Sequence, residues 1–279
     1  MPLAYGLIQP VDLPLPALPA ALDGLRVAHV TDLHVTRPTA TLSQLINQLT
    51  SLRLDLVCLT GDYLHAPSDL DLAVEVLERL TARLRPTLGC FGVMGNHDIE
   101  ALLDATAALP IRWLRDRSVA VEGRPLDLLG LHHSRSRWPD AVALALHEGG
   151  LDAASGPAAE PAEQRPRGDR LRLMLCHCPD FAHAGREFDA DLVLCGHTHG
   201  GQWRLPWGRA IYNATDLPHW MSSGVFRDGE GPLWCISRGV GTSGPPVRLW
   251  CPPHVPVYTL RRRTGPAGRG ADFRRLMRW

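Results

Sequence analysis

The stretch Asp191-Leu-Val-Leu-Cys-Gly-His-Thr-His-Gly-Gly-Gln202 decides how this chain reads. Its apolar run, Leu192 to Cys195, has the length and composition of a buried strand. The run breaks at Gly196 and releases two imidazoles, His197 and His199, one residue apart. Polar residues just past a strand end are where an α/β protein presents a ligand site. The two histidines can ligate one metal together or one metal each. Alone they can also be no more than a polar turn.

Working outward, four other strand ends repeat the pattern. Leu25–Thr31 reads as a strand and runs into Asp32-Leu33-His34. Leu54–Thr60 runs into Gly61-Asp62, and Leu88–Met94 into Gly95-Asn96-His97-Asp98. Leu171–Cys176 runs into His177. Taken singly, each suits a capping turn, a polar turn or an ordinary histidine. Independent turns are not expected to place Asp, Asn or His at every buried strand end, so the set reads as a metal site.

Imidazole with carboxylate suits Mn, Fe or Zn better than Mg. One carboxylate can bridge two ions with an N/O set on either side. Two ions about 3.5–4 Å apart can clamp the attacking and leaving oxygens of a phosphoryl displacement. They also lower the pKa of a bridging water, which makes hydroxide available near neutral pH. Cys176 and Cys178 flank His177, but Cys-x-Cys spacing with Cys176 inside an apolar strand argues against a zinc knuckle.

Helical periods lie between the strands. Leu42, Leu45, Ile46, Leu49 and Leu52 share one helical face, with Thr41 as the expected N-cap. Asp69–Arg85 is amphipathic through Leu70, Ala73, Val74, Leu77, Leu80 and Leu84, and Pro86 stops it. Ile99–Leu109, Ala141–Glu148 and Phe181–Phe188 read as shorter helices, and Ser118–Glu122 and Leu126–Leu131 as shorter strands. Residues 1–22 carry five prolines and read as an extended lead-in or edge strand. Residues 149–169 read as a mobile loop. The alternation in the first half is α/β layering. The β-rich second half points to two packed sheets with helices outside. We expect one domain over 1–260, followed by a basic stretch, 261–279.

Composition bounds the rest. The 279 residues are 45% hydrophobic and 21% charged, enough for a large core. The net charge of zero gives no reason to expect nucleic acid or another polyanion as partner. All 29 basic residues are Arg. Seven cysteines, several within apolar runs, fit reduced core thiols. There is no basic n-region with an apolar h-region, and no apolar run of about 18 residues. A soluble, reducing, cytoplasmic setting is expected. The 261–279 stretch holds seven Arg and one Asp, with Phe273, Leu276, Met277 and Trp279 interleaved. It is expected to be solvated, or to rest on the anionic inner membrane as a peripheral contact.

The five motifs, in this order, resemble the calcineurin-like metallophosphoesterases over roughly residues 25–260. The resemblance implies a four-layer α-β-β-α sandwich with two mixed sheets and a dinuclear site at their strand ends. By position it implies that Asp32, His34 and His199 hold one metal, that Asp62 bridges, and that Asn96, His177 and His197 hold the other. His97 would contact the phosphoryl group and protonate the leaving oxygen, with Asp98 orienting it. Gly200-Gly201-Gln202, Leu205-Pro206, Ser237-Arg238-Gly239-Val240-Gly241 and Val247-Arg248-Leu249 are similar to a bacterial branch of the family. That branch includes membrane-associated phosphoesterases and UDP-2,3-diacylglucosamine pyrophosphatases. Gly130-Leu131-His132-His133 departs from the Gly-x-x-Asp expected at that place.

Trp203, Trp207, Tyr212, His219 and Trp220 crowd the segment after the His-x-His pair. Trp203 and Trp220 are candidate walls for an acyl chain or a base, or else loop packing. Arg238 is a candidate phosphate ligand, since its glycine neighbours would leave the approach open. A phosphodiester or pyrophosphate hydrolase results, with a nucleotide-sugar or glycolipid pyrophosphate favoured. A general nucleotide phosphodiesterase or phosphatase is the alternative. A non-catalytic metal-binding interaction module fits less well, because every ligand position holds a competent residue.

Overall fold

The computed structural model describes residues 6–16, 18–131, 169–227, 229, 231–263, 274–277 and 279. The expected helix Ala141–Glu148, the stretch 149–168, and His132 and His133 lie outside the described residues. Two mixed sheets face each other. The first holds β1 (Ile8–Leu15), β2 (Arg26–Val30), β3 (Leu56–Thr60), β4 (Cys90–Val93), β5 (Ile111–Trp113) and β12 (Val255–Arg262), in the order β1-β12-β2-β3-β4-β5. The second holds β6 (Arg117–Ala120), β7 (Leu126–Leu131), β8 (Leu171–Cys176), β9 (Leu192–Cys195), β10 (Gly224–Arg227), β11 (Leu233–Ile236) and β13 (Arg274–Met277). Its order is β13-β10-β11-β9-β8-β7-β6.

The strands that carry the site are parallel within their sheets: β2-β3-β4 in one and β8-β9 in the other. Their carboxyl ends therefore share one edge of the sandwich. These strands read as unbroken apolar runs because both faces are covered. In β8, Leu171, Leu173 and Leu175 enter the core between the sheets, beside Leu56 and Val93. Met174 and Cys176 point the other way, into a cluster with Phe181 and Phe188.

Helices α1 (Ala40–Thr50), α2 (Leu70–Arg83) and α3 (Ala101–Ala105) cover the outer face of the first sheet. Leu45, Leu49, Leu77 and Leu80 pack there with Val30, Val57 and Leu59. A 3-10 turn, Pro179–His183, and α4 (Ala184–Glu187) supply residues packed outside the second sheet.

Several local expectations shift. The N-cap of α1 is Thr39 rather than Thr41, because the Thr39 hydroxyl accepts from the Leu42 N–H. A 3-10 turn at Pro67–Asp69 takes the start of the second helix, with Asp69 accepting from the Ala66 N–H. The lead-in is an edge strand: β1 pairs in parallel with β12 alone, which tolerates Pro10 and Pro14.

The basic C-terminal stretch also differs from its expectation. Residues 274–277 pair with β10 as the edge of the second sheet, and Trp279 is buried in the inter-sheet core. The Trp279 indole donates to the Ile236 carbonyl, and its own carbonyl accepts from Arg204. Met277 and Trp279 are the apolar residues that pack it against the core, while Leu276 faces out. No helix among the described residues is long and apolar enough to cross a membrane.

Candidate metal centre

The five strand ends converge. Asp32 and His34 leave β2, Asp62 leaves β3, Asn96 and His97 leave β4, His177 leaves β8, and His197 and His199 leave β9. Asp32, His34, Asp62, His197 and His199 all have positive φ, between 41° and 67°. Such conformations are uncommon outside glycine and cluster at functional sites, where the surrounding structure holds them. Here the tight turns let consecutive short loops aim several polar side chains at one place. Gly95 and Gly196 permit the approach: a Cβ on Gly95 would run into the Asp62 carboxylate, and one on Gly196 into Thr31 and Asp32.

Two groups of donors form, and Asp62 belongs to both. Asp32, His34, Asp62 and His199 are one buried group, and Asp62, His177 and His197 the other, with ligand atoms in each within 4.8 Å of one another. The Asp62 Oδ2 lies 3.3 Å from His34 Nε2 and 3.2 Å from His177 Nε2. Asp32 Oδ1 lies 3.4 Å from His199 Nε2. His199 Nε2 and His34 Nε2 are 3.1 Å apart, as are His177 Nε2 and His197 Nδ1. Nitrogen lone pairs that close repel unless a proton or a cation sits between them.

The tautomers fit a cation. His177 Nδ1 is 2.7 Å from the Thr60 carbonyl, so Nδ1 carries the hydrogen and Nε2 presents its lone pair to the site. The Asn96 Oδ1 is buried without a hydrogen-bond partner. Asp32 is positioned from behind by the Thr31 hydroxyl at 2.8 Å and the His197 N–H at 3.0 Å.

Electrostatics agree. Burial alone would raise Asp62, but His177 and His34 hold it well below the ordinary carboxylate range. Burial likewise opposes charge on His177, yet Asp62 and Asp32 hold it up at about 10, so without a cation a proton takes the place on Nε2 that a metal would occupy. The negative charge thus demands a positive partner. Burial, then His34 and Arg248, push His199 well down, which leaves it in the neutral form that ligates metal.

The structure redistributes some expected roles. The His97 ring does not lean on Asp98: its Nδ1 bonds the His65 carbonyl at 2.8 Å. Asp98 instead accepts backbone N–H bonds from Asp62, Tyr63, Leu64 and Gly95, at 2.8 to 3.1 Å. The reason is the left-handed turn at Asp62, which points consecutive N–H groups at one carboxylate. Burial and the nearby Asp62 push Asp98 up to about 6, against its N–H donors.

Arg238 is not open to approach. It is 4% exposed, its Cγ lies under Gly200, and its carbonyl accepts from Arg248. Trp203 and Trp220 are both partly exposed. The Trp203 indole donates to the Val247 carbonyl, while Trp220 stands edge-on to Phe226 under the Arg275 guanidinium. All seven cysteines are free and buried, and Cys176 faces Cys195 at 3.6 Å rather than the histidines.

Sequence reasoning missed three supports. His65 stacks on His97, ring centroids 6.0 Å apart, and stands edge-on to His34. Arg204 is buried and Arg248 half-buried, and they donate to the Gly200 and His199 carbonyls. His65 follows Asp62 by three residues and was visible as a nearby imidazole. A buried arginine leaves no such mark.

These loops on this sandwich define a metal-dependent phosphoesterase, and the family comparison agrees. The chain belongs to the calcineurin-like phosphoesterases, whose family model matches residues 25–201. It is similar to the uncharacterized metallophosphoesterase YkuE of Bacillus subtilis (strain 168), 25% identical over 88% of this chain and 82% of the relative. It is similar to the UDP-2,3-diacylglucosamine pyrophosphatase LpxG of Chlamydia trachomatis serovar D, 24% identical over 86% of this chain and 85% of the relative. The phosphodiesterase YaeI of Escherichia coli (strain K12) is 28% identical over 84% of this chain and 82% of the relative. The protein is thus a phosphate-ester hydrolase with a dimetal-binding site of buried Asp and His.

Proposed function

We propose that this protein hydrolyses a pyrophosphate bond in a nucleotide-sugar, and that a glycolipid of the UDP-diacylglucosamine type is its favoured substrate. The observation that carries the reaction is the Asp62 carboxylate shared between two donor groups. In this reading Asp32, His34 and His199 hold one ion, and Asn96, His177 and His197 the other. The bound ions, Mn, Fe or Zn, supply Lewis acidity and a nucleophilic water at neutral pH. His97 serves the leaving group. With Nδ1–H tied to the His65 carbonyl, Nε2 is the nitrogen that meets substrate and gives up its proton. Asp98 serves indirectly, by fixing the loop that carries Asp62.

Similarity to LpxG supports the pyrophosphate. The similarity to YaeI, together with the exposed rings of Trp203 and Trp220, able to stack on a base, supports a second reading, a general nucleotide phosphodiesterase. A hydrolysis screen separates them. Cyclic nucleotides, nucleotide-sugars and UDP-diacylglucosamine are offered with Mn and with Zn. Preference for UDP-diacylglucosamine is expected; turnover confined to nucleotide diesters would replace the first reading by the second.

A further inference from the structure

Eight of the nine exposed large apolar side chains among the described residues lie between Trp203 and Trp250. The loop over 203–214 presents Trp203, Trp207, Ile211 and Tyr212; the loop over 242–250 presents Val247 and Trp250. Trp207 is 67% exposed, Tyr212 64%, Val247 56% and Trp250 55%. Single exposed apolar residues need no explanation, but a cluster of this size marks an interaction surface.

The two loops are one unit. Trp203 bridges Leu249, the Trp203 indole donates to the Val247 carbonyl, and the Ile211 N–H donates to the Trp203 carbonyl. The Leu249 N–H donates to the Gln202 carbonyl, and the Gln202 amide donates to the Ser243 and Pro245 carbonyls. Much of the backbone polarity is therefore satisfied inside the loops while the apolar side chains face out. That division suits an apolar medium, in which an unbonded N–H or C=O is costly.

Charge selects the occupant. No Asp or Glu occurs from Gln202 to Thr215 or from Gly239 to Tyr258. Two other arginines of these loops, Arg204 and Arg248, bond to carbonyls beneath the face, and Arg209 is exposed on it. A protein partner is ordinarily met by an apolar centre with a rim of mixed charge. Indole and phenol rings with aliphatic neighbours and one exposed cation, with the exposed Asp216 just past the end of the first loop, match the headgroup layer of a membrane. The loops also adjoin the metal centre. The first follows His199 directly, and His197 Nε2 lies 3.2 Å from the Ala214 carbonyl.

We propose that this face seats the protein on an anionic lipid bilayer, with the metal centre at the membrane surface. The proposal goes beyond the pyrophosphatase reading and does not depend on the substrate.

The test is sedimentation of the full chain with vesicles of phosphatidylcholine, alone and with added phosphatidylglycerol. The wild type should pellet, more so with the anionic lipid. The combined variant Trp207→Ser, Tyr212→Ser, Val247→Ser should lower the bound fraction at least about tenfold. Its Mn-dependent turnover of a soluble chromogenic diester should be unchanged, which shows that it folds and separates docking from chemistry. Leu276→Ser, an exposed apolar residue elsewhere, should bind like wild type. The proposal is overturned if wild type stays in the supernatant, or if the triple variant binds equally. Light scattering that shows a dimer broken by the triple variant, without vesicle binding, would overturn it in favour of a second copy of the chain.

Discussion

Two buried carboxylates, at different places in the sandwich, show what separates a structural charge from a functional one. Asp127, on β7, is fully buried and grips Arg170 through bonds of 2.7 to 3.0 Å. Its charge is cancelled within the chain. Asp62, past the end of β3, is equally buried but meets two imidazole nitrogens and the His97 backbone N–H, with no guanidinium against it. A buried carboxylate with a matched guanidinium needs nothing more. One ringed by imidazoles is a place prepared for a cation. The contrast also explains why concavity misleads here. A cavity of about 1240 Å³ opens around Leu109, Ala120 and Arg170, yet it is lined by Arg112, Arg124 and Arg170 rather than by a set of Asp and His donors, and Asp127 already neutralises Arg170.

Breaking the Asp62 side of this comparison should have the largest effect. Asp62→Asn is expected to lose both ions by elemental analysis and at least about 10³-fold in turnover. Full metal content in that variant would remove Asp62 from its bridging role. His97→Ala should keep its metal and lose about 10²- to 10⁴-fold in turnover. Near-wild-type activity would transfer the proton-donor role elsewhere, with His65 the adjacent imidazole to try.

The Asp127 side should respond in the opposite manner. Asp127→Ala strands Arg170 and is expected to cost about 3 kcal/mol by urea denaturation. Metal content and turnover per folded molecule should not change. A loss of bound metal would mean the two carboxylates are not independent.

The smallest expected effect at neutral pH concerns a buried imidazole outside both groups. His29, on β2, bonds the Thr60 hydroxyl at 2.8 Å, and burial pushes it down to about 3. The unfolded chain binds its proton near pH 6.5 while the folded chain does not. The neutral folded form is thus fully favoured above that pH and loses about 1.4 kcal/mol per unit as pH falls toward 3. His29→Leu should flatten the stability–pH slope below pH 6.5 by one proton's worth. An unchanged slope would place the acid sensitivity in other histidines.

Much of this site was legible because strand ends leave a local mark. An apolar run that breaks into Asp, Asn or His is visible without any contact map, as at Leu192–Cys195 before His197. Roles that depend on which atoms meet were not. Asp98 and His97 are neighbours in sequence, but the turn at Asp62 draws the Asp98 carboxylate to backbone N–H groups and leaves His97 to the His65 carbonyl. Arg238, flanked by glycine, looked open and is buried under Gly200. The arginine-rich C-terminus looked solvated, yet Trp279 sits in the core.

The sequence by itself determined the ligand types, their order along the chain and the alternation that makes an α/β sandwich. These follow from residue chemistry and from periodicity, both of which are local. Only the tertiary structure decided that Asp62 is shared, that His177 is held by the Thr60 carbonyl, and that the aromatic loops form one exposed face beside the Asp and His donors. Each of these depends on atoms brought together from distant segments, and packing of the two sheets sets those distances.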